Sequence, residues 1–304
     1  MLTTEQVIRR GRFYDRAFFY LGLVLTLICL GVLSVLLTKL VVEGISRINW
    51  GFMSSFPSRR PEKAGILSAW VGSLLVMLVT SFTAIPLGVA AGIYLEEYAR
   101  KNWFTNLIEI NIANLAGVPS IIYGLMALGL MVYQFHFGQS ILTGGLTLAF
   151  LILPIVIVAT REALRAIPQH MREAAYALGA TRLQVIRNHL LPYSSGGIAT
   201  GVIIALSRAI GETAPLVTIG ALTYIAFLPP LPFSTVDDRA VGPLAWALSP
   251  FTVLPIQMFN WVSRPGEDFA ANAAAAGIVL MIATLSMNAV AIVIRARIRR
   301  RIKW

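Results

Sequence analysis

Uncharged runs alternate with short basic connectors along the whole chain, and the lengths of the runs predict the elements. A helix needs about 20 apolar residues to cross the hydrocarbon core of a bilayer. Residues 17–38 run uncharged between Arg16 and Lys39, and 64–95 gives a second run of crossing length. From 110 to 160 there is no charged residue, but Gln134, His136, Gly138 and Gln139 divide the stretch into a third and a fourth span joined by a tight turn. A fifth span is expected over 194–227, with Arg208 and Glu212 inside it, and a sixth over 269–294. Residues 240–262 are also uncharged, but Pro243, Pro250 and Pro255 recur there. Each removes a helix hydrogen bond that lipid cannot replace. That segment is expected to be a loop with short interfacial helices, within a longer connector over 228–268.

The basic residues orient these spans. Seventeen of the 25 lysines and arginines fall before span one, between two and three, between four and five, and after span six. Positive charge collects on the cytoplasmic side, so both termini are expected there. The net charge of +11 then reflects orientation, not nucleic-acid binding. With 57% hydrophobic and 13% charged residues, the chain is an all-α polytopic membrane protein of six transmembrane helices. Three parts are expected: 1–66 with the first span, a core over 67–295, and a basic tail over 296–304. No alanine lies between Phe18 and Lys63 to make a cleavage site, so the first span is expected to stay as an anchor.

Little in the chain promises chemistry on a substrate. Cys29 is the lone cysteine, and His136, His170 and His189 sit on different connectors without ligand spacing, so no metal is expected. There is no Gly-Lys pair for a P-loop and no G-x-S-x-G elbow. No catalytic residue is expected, and any ATP is hydrolysed by another chain.

The connector over 161–193 carries its own structure. Pro168 suits a first helical turn, 169–178 is helix-forming, and Gly179 suits a left-handed stop. Thr181 can cap a second helix running through His189 until Pro192 ends it. A helix, a glycine elbow and a helix can insert into a groove of a soluble partner, and the small Ala174 and Ala175 allow close approach. The competing reading is a solvated linker whose arginines, Arg161, Arg165, Arg172, Arg182 and Arg187, lie on anionic lipid.

Arg208 and Glu212 stand four residues apart at bilayer depth, where a charge costs about 2.5–3.5 kcal/mol on the lenient insertion scale. With Gly197, Gly201 and Ala205 they share one helical face, and glycine at four-residue spacing marks close helix contact. Gly88 and Gly92 repeat that spacing on span two. Arg208 suits a point on an anion's path, steadied by Glu212, with Thr213 beside it. Equally, the two charges neutralise each other and fix packing. Gly211 and Pro215 mark a gate or a static kink. Asn114, Ser120 and Tyr123 suit a polar path or core packing; Glu109 is expected to be solvated at the membrane surface, as are Asp237 and Asp238 in the late connector.

Glu173, Ala174, Ala175 and Gly179, followed by Leu191 and Pro192, resemble the EAA loop by which bacterial ABC importer permeases dock onto their ATPase. His189 departs from the aliphatic residue usual there. The segments SSFPSRRPEKAGI (54–66), PLGVAAGIYLEEYA (86–99), NIANLAGVPSIIYGL (111–125), SRAIGETAPL (207–216) and PIQMFNW (255–261) resemble the PstA-type permeases of phosphate-specific ABC importers. Ala214 and Pro215 stand where the sister PstC type commonly has methionine. The resemblance implies the type I (MetI-like) importer permease fold and transport of inorganic phosphate across the bacterial inner membrane. It also implies a PstC-type permease as heterodimer partner, a PstB-type ATPase dimer carrying ATP and magnesium, and a PstS-type binding protein outside. The alternatives are a PstC-type sister permease, a permease for another oxyanion (phosphonate, sulfate or molybdate), an ion-coupled secondary transporter using the Arg208–Glu212 pair as a relay, and a membrane sensor or scaffold without flux.

Overall fold

The computed structural model describes residues 4–222, 224–230, 235–236, 239–240, 242–264 and 267–301. Five of its helical stretches are long and apolar enough to cross a membrane, and a bent pair makes a sixth. The helices are α1 (Thr4–Gly44), α2 (Trp50–Ser54), α3 (Leu67–Ile93), α4 (Trp103–Leu115), α5 (Ser120–Ala127) and α6 (Ile141–Arg165). After these come α7 (Gln169–Ala177), α8 (Arg182–Val185), α9 (Leu191–Ile210), α10 (Ala214–Ile219), α11 (Leu254–Val262) and α12 (Glu267–Arg301). The only strands among the described residues are a two-residue pair, Thr235–Val236 against Arg239–Ala240.

Small residues let the central helices approach. α3 and α6 run parallel, with Gly88 against Val156 and Gly92 against Thr160; an added Cβ would lie 2.7 Å from each. α9 crosses α6 antiparallel, with Gly197 against Ala163 and Gly201 against Ala159. A leucine at 201 has no room at this contact. Gly201→Leu is expected to cost about 2–3 kcal/mol, read as a lower thermal midpoint of the purified protein. α1 is attached differently: its apolar length is wholly exposed within this chain. It meets the bundle at its last turn, where Gly44 lies against the Ala274–Ala275 backbone of α12.

Two expected spans are not straight. The third is broken at residues 116–119, and its halves, α4 and the α5 stretch to Gln134, meet at 103°. Gly117 and Pro119 lie in the break, since proline supplies no N–H and disfavours a helical residue before it. The Leu115 carbonyl accepts from the Val118 amide at 3.2 Å and from the Tyr123 hydroxyl at 2.8 Å. The fifth does not run to Phe227: α9 stops at Ile210, and α10 starts afresh after Thr213 with Pro215 in its first turn. Pro215 therefore begins a helix where a kink within one was expected.

Pro192 does not end a helix either. α8 passes through a wide π turn, Ile186–Leu190, directly into α9, giving one rod from Arg182 to Ile210. The wide turn accommodates the proline, which has no N–H to place.

Residues 242–262 form turns and the nine-residue α11. Their carbonyls serve α6: Ser249 and Ala247 accept from Ile141 and Leu142, at 3.1 and 2.7 Å. These are amides that a helix start leaves without partners. α11 is largely buried, with Trp261 fully enclosed and 6.0 Å from the Phe52 ring, while Phe259 and Val262 stay exposed. Asp237 and Asp238 lie outside the described residues.

Candidate functional site

The register of α9 on α6 sets the depth of the charged pair. Gly197–Ala163 and Gly201–Ala159 put Arg208 level with Ile152, eleven residues from Ile141 and thirteen from Arg165. At 1.5 Å per residue that is roughly 16–20 Å from either end of α6. Ala205 and Ala209 turn into the core with α3 and α6, which leaves Arg208 on the open flank. Its side chain is 40% exposed, that of Glu212 is 18% exposed, and Nε lies 3.4 Å from Oε1. Ser207 beside it donates to Asn288 of α12 at 2.5 Å, locking the helix on its other side.

The two broken helices meet at this pair. Gly124 of α5 packs directly on Pro215 and Thr218 of α10, three and six residues beyond Glu212. Gly211 forms the last turn of α9 with open surroundings, and Thr213 caps α10 with its carbonyl, accepting from Leu216 and Val217 at 3.1 and 3.0 Å. Irregular backbone at membrane depth is tolerated only inside protein or along a water-filled cavity. Two such breaks beside an exposed arginine make a polar spot in the middle of the bundle. Tyr123 is buried, whereas Asn114 is exposed and Ser120 half-buried.

At one end of the bundle the connector after α6 is folded and braced. Gly179 has φ +84°, the left-handed conformation that only glycine adopts at little cost. Thr181 and Gln184 form a reciprocal capping box. Ala175 is 7% exposed, packed with Leu164, Ile167, Val185, Ile186 and Leu190, and Leu191 lies against the same cluster. Of the two alanines, then, Ala174 faces outward and Ala175 holds the fold. Glu173 is exposed and accepts from Gln169 at 3.0 Å. Leu178 is 89% exposed at the tip, beside the exposed Leu183 and Tyr176. An unshielded leucine next to a glycine elbow was its signal in the sequence.

Of the five arginines of this connector Arg187 is exposed, while the other four have partners within the chain. Arg161, 7% exposed, sits 2.6 Å from Glu109 and 3.6 Å from Glu96. Arg165 donates to Glu96 at 2.8 Å. Arg172 holds Glu97 with two nitrogens, at 3.2 and 3.0 Å, and donates to the Leu164 and Ile167 carbonyls at 2.9 and 2.8 Å. Arg182 stacks over Tyr98 at 5.5 Å. Glu109 is thus a partner in an ion network, where solvation was expected. The network ties α3, α4, α6 and α7 together. Breaking a buried pair by removing one member costs about 3–5 kcal/mol. Arg172→Ala is therefore expected to loosen 169–190, read as lost amide hydrogen-exchange protection there, with Glu97→Gln milder. Among the described residues no three potential metal ligands come together, and His136, His170 and His189 are separate and exposed.

The helical bundle with its interrupted spans has the fold of type I ABC importer permeases. A solved bacterial ABC transporter involved in the import of the acidic polysaccharide alginate shares the fold. It has a TM-score of 0.62 and 13% identity, over 95% of this chain and 99% of that one. Residues 84–304 match the binding-protein-dependent transport system inner membrane component, and the chain belongs to that family. It is 32% identical over 268 residues to the phosphate transport system permease protein PstA of Yersinia pestis, covering 86% of this chain and 83% of the relative. It is 29% identical over 270 residues to the probable ABC transporter permease protein YqgI of Bacillus subtilis (strain 168), covering 86% and 89%. The protein is a membrane transport subunit.

Proposed function

We propose that this chain forms half of the translocation path of an ATP-driven importer of inorganic phosphate. The observation that carries the reading is Arg208: a permanently charged fork at mid-depth, open on one flank, where two broken helices meet. Guanidinium geometry matches phosphate oxygens. Glu212, 3.4 Å away, limits how tightly an anion is held, which a path requires. The similarity to PstA proteins supports phosphate over other oxyanions.

Both termini and the 161–193 connector lie on the cytoplasmic side in this reading. There the exposed Glu173, Ala174, Leu178 and Gly179 insert into a PstB-type ATPase dimer, which supplies ATP and magnesium, while a PstC-type permease completes the path. A PstS-type protein delivers phosphate to the opposite face. The continuous rod from Arg182 to Ile210 connects the docking segment to the charged pair, so movement at one reaches the other. The chain itself does no chemistry on phosphate.

The test is ATP-dependent uptake of labelled phosphate by the chain purified with its neighbours, with sulfate and phosphonate as competitors. Stronger competition by sulfate overturns the substrate. Uptake driven by an ion gradient without ATPase overturns the coupling.

A further inference from the structure

At the end of the bundle opposite the braced connector, Ser58, Arg59, Arg60, Lys63, Tyr224 and Arg264 line a cavity of about 770 Å³. Among the described residues no carboxylate lines it, and none of its four cations has an ion pair there. The contrast with the other end is chemical: there Arg161, Arg165 and Arg172 each hold a glutamate. The one carboxylate in the adjoining turn, Glu62, is exposed.

The wall that carries the cations is fixed. The carbonyl of Pro61 accepts from both Arg47 and the buried Asn272, the latter at 3.0 Å, and Asn272 in turn accepts from Arg47 at 2.6 Å. The amides of Arg60 and Lys63 are held by Ser58 Oγ at 3.1 Å and the Arg60 carbonyl at 3.2 Å. On the far wall Arg264 lies 4.9 Å over the Phe269 ring. Arg47 thus spends its charge on structure, while Arg59, Arg60, Lys63 and Arg264 keep theirs facing the cavity. Tyr224 lies on the stretch of chain that continues from α10, and so joins the cavity wall to the mid-depth break.

We infer that this cavity is an anion-collecting vestibule that retains oxyanions released by the PstS-type protein, as they rehydrate, before they reach Arg208. It rests on the proposed reading for its outward placement and its phosphate cargo. The volume equals roughly 25 water molecules at about 30 Å³ each, so an oxyanion enters with its water shell. Screening limits exposed charges to about 8–10 Å, which makes the effect local to the cavity mouth. A cleft lined by one sign of charge raises local counter-ion concentration and capture rate by about tenfold or more. Binding there is weak and charge-selective by construction.

The test reads the potential directly. In the chain purified with cysteine-free partner subunits, Cys29→Ser removes the native thiol and Ser58→Cys places a reporter on the cavity wall. After correction for intrinsic reactivity, an anionic thiosulfonate is expected to modify that thiol about tenfold faster than a cationic one. Arg59→Gln, Arg60→Gln and Lys63→Gln together should bring the ratio near one, and inorganic phosphate should slow the anionic reagent in the parent. A ratio near one in the parent, or one unchanged by neutralisation, overturns the vestibule even where phosphate uptake persists. A tenfold ratio that neutralisation abolishes, in a protein that takes up no labelled phosphate, upholds the vestibule and overturns the transport reading instead.

Discussion

Replacing Arg208 by alanine is expected to lower ATP-dependent phosphate uptake about a hundredfold, while assembly and ATP hydrolysis persist. The magnitude is that of removing one preorganised donor from a site where charge must be stabilised, about 10²–10³. Folding is expected to survive because the side chain is 40% exposed in this chain, and the buried face of α9 belongs to Ala205 and Ala209. Arg208→Lys keeps the charge but loses the planar fork, so an intermediate loss of about tenfold is expected. The competing role, two charges that neutralise each other to fix packing, predicts something else. In that case Arg208→Gln with Glu212→Gln, which removes both charges at once, transports normally. Uptake retained in the double variant ends the path role.

Leu178→Asp is expected to weaken association with the ATPase by about thirtyfold and to reduce uptake in proportion. An exposed apolar anchor that fills a partner's pocket is worth about 2 kcal/mol or more when lost, and 1.4 kcal/mol is a factor of ten. At 89% exposure the residue contributes little to the fold of the chain, so the loss falls on the interface. Glu173→Arg should act in the same direction for the same reason. Gly179→Ala differs: nothing lies within 4 Å of an added Cβ, but φ of +84° costs about 1–2 kcal/mol for a non-glycine residue. That cost distorts the elbow itself. Co-purification of the ATPase and uptake, measured side by side, separate the two effects. Full co-purification with all three variants would remove the docking role from this segment.

The outlines of spans one, two, four and six were legible because an uncharged run of crossing length has few alternative fates. The elbow was legible for a local reason: glycine and threonine encode a left-handed turn and a cap within a few residues. The broken spans were not, because the run across 116–119 stays uncharged with only Gly117 and Pro119 to mark the break, and Gly211 and Pro215 read equally as a gate or a static kink within one helix. Pro192 misled because a proline normally ends a helix, whereas the π turn before it lets α9 continue. The arginine network was out of reach for another reason. Glu96 and Arg165 are 69 residues apart, and Glu97 and Arg172 are 75, so only the parallel packing of α3 on α6 brings them together. Glu109 is a partner because α4 meets Arg161 near the end of α6, and Ala175 is a core residue because α7 folds back on Leu164 and Leu190.

α1 is held at one end, where Gly44 lies against the Ala274–Ala275 backbone and Leu40 against Gly277. Its uncharged run over 17–38 is about 33 Å long at 1.5 Å per residue, close to a hydrocarbon thickness of about 30 Å. Because that run is exposed within this chain, the surrounding acyl chains and neighbouring subunits set how far the stem leans.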